Sequence, residues 1–203
     1  MTSTTTARTR RTYRWRVVDI VVASVIGVAS GVIFWAWGLA WTPLSALLSF
    51  TPGVEGILAG GWLFAGVLGG LVIQKPGAAL YTEIMAAVVS MLIGTQWAFL
   101  TLVWGIVEGL GAELMFALFL YANWRLGAAL LAGAGAGVAV GLLDTSFTSF
   151  AALAFSAKAI YFSAAVVSGI VVAGLLSWLA VRALAGTGAL GRFASGRHAS
   201  TQV

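Results

Sequence analysis

Long apolar runs separated by short polar breaks organise this chain. The first run extends from Val17 to Trp41 and the second from Glu55 to Ile73, joined by TPLSALLSFTPGVEG, which carries Pro43 and Pro52. After the turn QKPG (Gln74–Gly77) a third run covers Ala78 to Gly94, starting beside Pro76, a residue tolerated in a first helical turn. A fourth spans Gln96 to Ala122, and NWR (Asn123–Arg125) separates it from a fifth, Leu126 to Leu143. The more polar DTSFTSFAALAFSAK, with room for a short interfacial helix, leads to a sixth, Ile160 to Leu184. Runs of about 17 residues or more can cross a bilayer as helices. The expectation is an all-α integral membrane protein, a six-transmembrane-helix bundle over residues 17–184. Residues 1–16 form a basic tail expected to be disordered, and residues 185–203 a flexible tail.

Composition agrees with this reading. The chain is 61% hydrophobic and only 8% charged, with a mean hydropathy of +1.02. A soluble surface of this length needs many more charges, and an outer-membrane barrel would show short alternating strands. The apolar core after the basic start is too long for a cleaved signal peptide, so it reads as a retained first span. An even number of spans puts both termini on one side. Ten of the eleven basic residues then fall on that side, at Arg8, Arg10, Arg11, Arg14, Arg16, Lys75, Arg125, Arg182, Arg192 and Arg197; Lys158 alone lies opposite. The positive-inside rule makes the terminal side cytoplasmic, in a plasma membrane. The same distribution explains an isoelectric point near 10.3 without invoking nucleic acid.

Cysteine is absent, and the single histidine, His198, lies in the C-terminal tail. Thiol chemistry, disulfides and a histidine-based metal site within the bundle are thereby excluded. The acids are the informative residues. Asp19 lies near Arg16, in reach of a local ion pair. Glu55 opens the second span at the outer face, where the helix dipole favours an acid, and Asp144 closes the fifth, where it can cap the following segment or serve a site. Glu83, Glu108 and Glu113 lie deeper, where each acid costs about 2.5–3.5 kcal/mol on insertion scales. No basic residue sits at that depth, so these acids need protons, hydrogen bonds or a ligand. Glu108 and Glu113 are five residues apart, which places them about 140° apart around an ideal helix. Glu108 shares a face with Trp104, Gly111 and Ala112, a combination suited to a flat, partly cationic molecule. Glu113 and Glu83 lie at similar inner depth and form a candidate inner carboxylate network, sharing a proton if their spans touch.

Nine tryptophans are present. Trp15, Trp62, Trp124 and Trp178 read as interfacial anchors, whereas Trp35, Trp37, Trp41, Trp97 and Trp104 gather in the outer half. Trp97 and Trp104, seven apart, align above Glu108. Tyr161, near the outer start of the sixth span, offers a hydroxyl. Most of the 26 glycines lie inside spans; GAGAGVAVG, from Gly133, makes the fifth span nearly smooth, and Ala23, Gly27 and Gly31 form a small-residue stripe on the first. GAGAG lacks the lysine and the strand context of a phosphate loop, so no nucleotide site is expected.

QKPGAALYTEIMAA (Gln74–Ala87), GIVEGLGAE (Gly105–Glu113), NWR (Asn123–Arg125) and the outer-end Asp144 resemble the YkoE family of substrate-binding (S) components of energy-coupling factor (ECF) transporters. The resemblance covers about Arg14 to Leu184. It implies a vitamin importer subunit, not an enzyme, that binds thiamin or its hydroxymethylpyrimidine moiety at the outer side. It also implies a transmembrane coupling (T) protein and two cytoplasmic ATPases, separate or fused, as partners. ATP is used by those ATPases, and no cofactor is expected in this chain. An aminopyrimidine ring would stack on tryptophan and donate hydrogen bonds to a carboxylate. The candidate substrate-binding set is therefore Trp35, Trp41, Glu55, Trp97, Trp104, Glu108, Asp144 and Tyr161. In related S components small residues in the first helix contact the coupling protein; here the matching stripe is Ala23, Gly27 and Gly31, although the family pattern uses alanines. Thiamin binders of another branch place a histidine in the pocket, which this chain does not have. A proton-coupled carrier using Glu83 and Glu113, an intramembrane enzyme and a purely structural membrane protein are the competing classes.

Overall fold

The computed structural model describes residues 13–188 together with Leu190 and Ser195. The helices run in the order α1 (Val17–Leu48), α2 (Gly60–Ile73), α3 (Ala78–Ile93), α4 (Leu100–Leu118), α5 (Leu126–Phe147), α6 (Phe155–Ser168) and α7 (Ser177–Gly186). A 3₁₀ segment, Val54–Ala59, leads into α2, and another, Ser149–Ala152, fills the expected interfacial position between α5 and α6. A π-helical stretch, Gly169–Leu176, joins α6 and α7 into one crossing, Phe155–Gly186. Among the described residues five crossings are long and apolar enough to span a membrane, and the shorter α3 completes the six-helix bundle.

The span through α2 is the central one, with 72% of its most apolar window buried against 28% for α4. Its sequence GGWLFAGVLGG explains this placement, because α2 carries no charged side chain and its glycines admit neighbours at close range. A Cβ added at Gly70 would meet the Phe116 ring at 2.6 Å, and one at Gly66 would meet Glu83 Oε2 at 3.0 Å. Smooth contacts recur between α5 and the π-helical stretch, where a Cβ at Gly174 would stand 2.9 Å from Ala129 O.

Several boundaries differ from the hydropathy pattern. Helix α1 continues past Trp41 to Leu48 with Pro43 inside it. The Ser45 and Ser49 hydroxyls in these last turns donate to the Thr42 and Ala46 carbonyls. Helix α4 begins at Leu100, not Gln96, because Ala98 adopts φ +48° and the preceding residues form turns. The Gln96 side chain instead donates to Gly38 O at 3.1 Å. At its other end the chain reverses through Leu120 (φ +49°) and Tyr121 (φ +54°).

The end of the bundle carrying both described termini is tied together by polar contacts. Asp19 is fully buried and binds Arg16, as the local pairing predicted, but it also accepts from Lys75 Nζ at 2.5 Å. Lys75 in turn donates to Arg14 O at 2.7 Å, and Trp15 Nε1 donates to Pro76 O at 2.9 Å. Residues 13–16 thus lie against the 74–77 turn. The rest of the basic tail, residues 1–12, lies outside the described residues, as do residue 189, residues 191–194 and residues 196–203 of the C-terminal tail. Of that tail, Leu190 is buried and the Ser195 hydroxyl donates to Val72 O.

The stripe Ala23, Gly27 and Gly31 points inward. All three residues are buried. A Cβ on Gly27 would stand 2.5 Å from Met85 Cβ, and one on Gly31 2.6 Å from Ala86 O. The stripe is the α1–α3 contact, so the partner-docking expectation is corrected here: these residues cannot reach another protein while α1 packs on α3. Small residues permit close helix approach, and the nearest available helix is an internal one.

Candidate ligand-binding cavity

Six helices bring their ends away from the termini together around a cavity of about 220 Å³. The C-terminal halves of α1, α3 and α5 contribute Phe34, Trp41, Ala87, Val140 and Asp144. The N-terminal parts of α2, α4 and α6 contribute Trp62, Thr101, Trp104, Glu108 and Tyr161. The polar connection after α5 adds Thr148, Ser149 and Phe150.

One wall is aromatic. The rings of Trp41, Trp62 and Trp97 form a triangle with centroid separations of 5.6, 6.3 and 5.5 Å, and Trp62 stands edge-on to Trp97 at 89°. Trp62 is held by its indole N–H, which donates to Phe34 O at 3.2 Å. Across the cavity, Phe150 lies over Tyr161 at 4.3 Å. Such walls favour flat and cationic groups.

The acidic groups lie beneath and beside these rings. Asp144 is held on both oxygens: Trp104 Nε1 donates to Oδ1 at 2.8 Å and the Tyr161 hydroxyl to Oδ2 at 2.6 Å. Its side chain therefore acts across three helices and does not cap the segment after α5; the Thr148 hydroxyl accepts from Phe150 N there. Glu108 is different. It is 5% exposed, lines the cavity, and has no hydrogen-bond partner among the described residues. It lies within electrostatic reach of Glu83 and Asp144. Glu83 accepts from Gly66 N at 2.5 Å on one oxygen, while its buried Oε1 has no partner among the described residues. Gly105 and Gly109 make this proximity possible, because a Cβ at Gly105 would meet Ala87 Cβ and one at Gly109 would stand 3.0 Å from Glu83 Cβ.

Glu113 faces elsewhere, as the 140° offset requires. Its carboxylate accepts from Gly77 N at 2.6 Å, Ala79 N at 3.0 Å and Leu80 N at 3.3 Å, and from the Tyr121 hydroxyl at 2.8 Å. These backbone donors are the unsatisfied N–H groups of the first turn of α3, and Gly77 reaches the required φ of +83° without side-chain strain. Burial, and then the Glu113 contact, push the Tyr121 hydroxyl above its ordinary pKa, keeping it a donor. The expected Glu83–Glu113 network is thereby corrected. Glu113 binds the start of α3, and Glu83, four residues beyond Ala79, lies about 6 Å farther along that helix. Glu83 lies within electrostatic reach of Glu108 instead.

Of the sequence-derived candidates, Trp41, Trp97, Trp104, Glu108, Asp144 and Tyr161 line one cavity. Trp35 and Glu55 do not; the Glu55 carboxylate accepts from Gly53 N at 2.8 Å at the entry to the 3₁₀ segment. Trp62 was expected among the anchors and is a cavity wall instead, because its position near the start of α2 turns it toward α1 and the 95–99 turn. Thr101 and Phe150 also escaped the sequence reading. Thr101 lies one turn before Trp104 on the same face, a signal that helical spacing did contain. Among the described residues no group of His, Cys, Asp or Glu is arranged to hold a metal ion.

A family model described as the permease component of an ABC-type cobalt transport system matches residues 18–139. The chain is 36% identical over 140 residues to the "Putative HMP/thiamine permease protein YkoE" of Bacillus subtilis (strain 168), a match covering 68% of each protein. Its fold matches a crystal structure of an S-component of an ECF transporter with a TM-score of 0.86 and 32% identity, over 93% of this chain and 95% of that one.

Proposed function

The chain belongs to the YkoE-like S components of ECF transporters, and from that premise we propose that its cavity binds thiamin or hydroxymethylpyrimidine from the extracellular side. Membership makes it a multi-pass membrane transport subunit that works with a T component and ATPases. The relative's description as an HMP/thiamine permease suggests the ligand class. The observation that carries the reading is the unpartnered Glu108 carboxylate beneath a tryptophan wall. An aminopyrimidine supplies what this arrangement needs: a flat ring for the indoles and exocyclic N–H donors for Glu108. The thiazolium of thiamin adds a positive charge that the same aromatic and acidic lining favours.

Mechanistically, the aromatic wall excludes water and orients the ring. Trp104 and Tyr161 hold Asp144 fixed, so Asp144 acts as a rigid negative wall, while Glu108 remains available to accept from ligand. With the termini cytoplasmic, as the positive-inside distribution implies, the cavity opens to the outside and captures ligand before the complex delivers it inward. Which side chains on this chain meet the coupling protein is left to surfaces other than the buried α1 stripe.

Titration of the purified chain in lipid nanodiscs, followed by tryptophan fluorescence, tests the reading. Saturable binding of thiamin or hydroxymethylpyrimidine is expected, with quenching dominated by Trp41, Trp62 and Trp97. Folded protein that binds neither would reject it. Uptake by this chain alone, driven by a pH gradient and indifferent to ATP, would favour the autonomous carrier.

A further inference from the structure

The charged lining of the cavity has one sign. Glu108 and Asp144 contribute carboxylates, and no lysine, arginine or histidine among the described residues lines it. Glu83 adds a third acid within electrostatic reach of Glu108, with a buried oxygen that has no partner among the described residues. The other elements packed on this group supply no compensating cation: α2 has no charged side chain, and the charged residues of α1, α3 and α4 are Asp19, Glu83, Glu108 and Glu113. Lys75, Arg125 and Arg182 belong to the opposite end of the bundle, and Lys158, at the start of α6, is not in the lining. Among the described residues the buried polar atoms without a partner are Glu83 Oε1 and Thr101 Oγ1, and Glu108 makes no hydrogen bond there either. The two carboxylates ask for donors and positive charge, not for an anion, and the Thr101 hydroxyl can donate or accept.

We infer that this cavity selects by phosphorylation state, accepting the free alcohol form of its ligand and rejecting the phosphate ester of the same molecule. The inference rests on the proposed reading of the cavity as the vitamin site. A phosphomonoester brings nearly two negative charges and only acceptor oxygens. Inside the cavity it loses its hydration and meets neither guanidinium nor ammonium, while fixed carboxylates stand beside it. Neutral indole and hydroxyl donors do not replace a cation in that role. One uncompensated charge pair in a partly buried site corresponds to about a hundredfold or more in affinity.

The test compares equilibrium binding of thiamin, thiamin monophosphate, hydroxymethylpyrimidine and its phosphate to the full chain in nanodiscs. Each ester is expected to bind about a hundredfold more weakly than its parent or worse. In E108Q, which keeps the shape and removes a charge, the parent binds less tightly and the ester-to-parent ratio narrows by about tenfold. Esters that bind within threefold of their parents would overturn the inference and leave the vitamin site standing. Binding of an ester alone would overturn both, and no binding of any compound to folded protein would remove the vitamin reading and this inference with it. The wild-type series decides the matter even if E108Q fails to fold.

Discussion

Replacing Glu113 separates architecture from ligand binding. Its carboxylate accepts three backbone N–H bonds from the first turn of α3 and one from the Tyr121 hydroxyl, at 2.6–3.3 Å. In E113Q the charge is lost and the amide group presents donors to donors. Hydrogen bonds to a charged acceptor contribute about 1.5–3 kcal/mol each, against about 0.5–1.5 for neutral ones. The four bonds share one carboxylate and do not add independently, so a loss of about 2–3 kcal/mol is the reasonable sum. For a chain of this size about 1 kcal/mol moves Tm by about 2–4 °C, which gives a decrease of about 4–12 °C. E113A removes the acceptor entirely, leaves its backbone and hydroxyl donors unpaired and costs about 3–5 kcal/mol, more than E113Q. Thermal unfolding in a fixed detergent, followed by intrinsic tryptophan fluorescence without ligand, measures both. At temperatures where E113Q is folded, its ligand affinity should remain within about threefold of wild type, because Glu113 lies outside the cavity. A Tm within about 2 °C of wild type would refute the helix-start role. So would a tenfold loss of affinity at unchanged Tm.

The complementary substitution E108Q should weaken thiamin or hydroxymethylpyrimidine binding by about tenfold or more with a nearly unchanged Tm, read by fluorescence titration. Unchanged affinity would remove Glu108 from the site. Trp62→Ala opens the aromatic triangle and should weaken the same ligands by about tenfold, whereas Trp178→Ala, which loses its contact with Arg182 at 4.7 Å and its packing on the core but lies outside the cavity lining, should not. Gly31→Val forces α1 away from Ala86 O and should lower Tm by about 2–12 °C, for an overpacking cost of about 1–3 kcal/mol; a neutral result would show that the α1–α3 contact is not tight. Because the chain has no cysteine, single cysteines report topology cleanly. Lys158→Cys should react with a membrane-impermeant maleimide on intact cells and Arg125→Cys only after permeabilisation, and the reverse pattern would invert the assigned orientation.

Hydropathy and charge placement were sufficient for the class, the number of crossings and the relative sidedness of the connections. These follow from the cost of exposing polar backbone and charge to hydrocarbon, a cost that acts on each segment separately. Helical spacing was likewise sufficient to separate Glu108 from Glu113 and to align Trp104 with Glu108, because both relations lie within one helix. Relations between helices were not determined this way. Ala23, Gly27 and Gly31 announced a close contact, but only the packing of α1 on α3 shows that the contact is internal. Glu83 and Glu113 had similar depth, yet the start of α3 claims Glu113 through its free N–H groups and leaves Glu83 beside Glu108. Trp62 carried the same local signal as an interfacial tryptophan, and the rotation of α2 turned it into a cavity wall. A local pattern constrains which way a residue points on its own helix; which partner it meets depends on the rotation and approach of neighbouring helices, which the whole bundle sets by packing its small residues together.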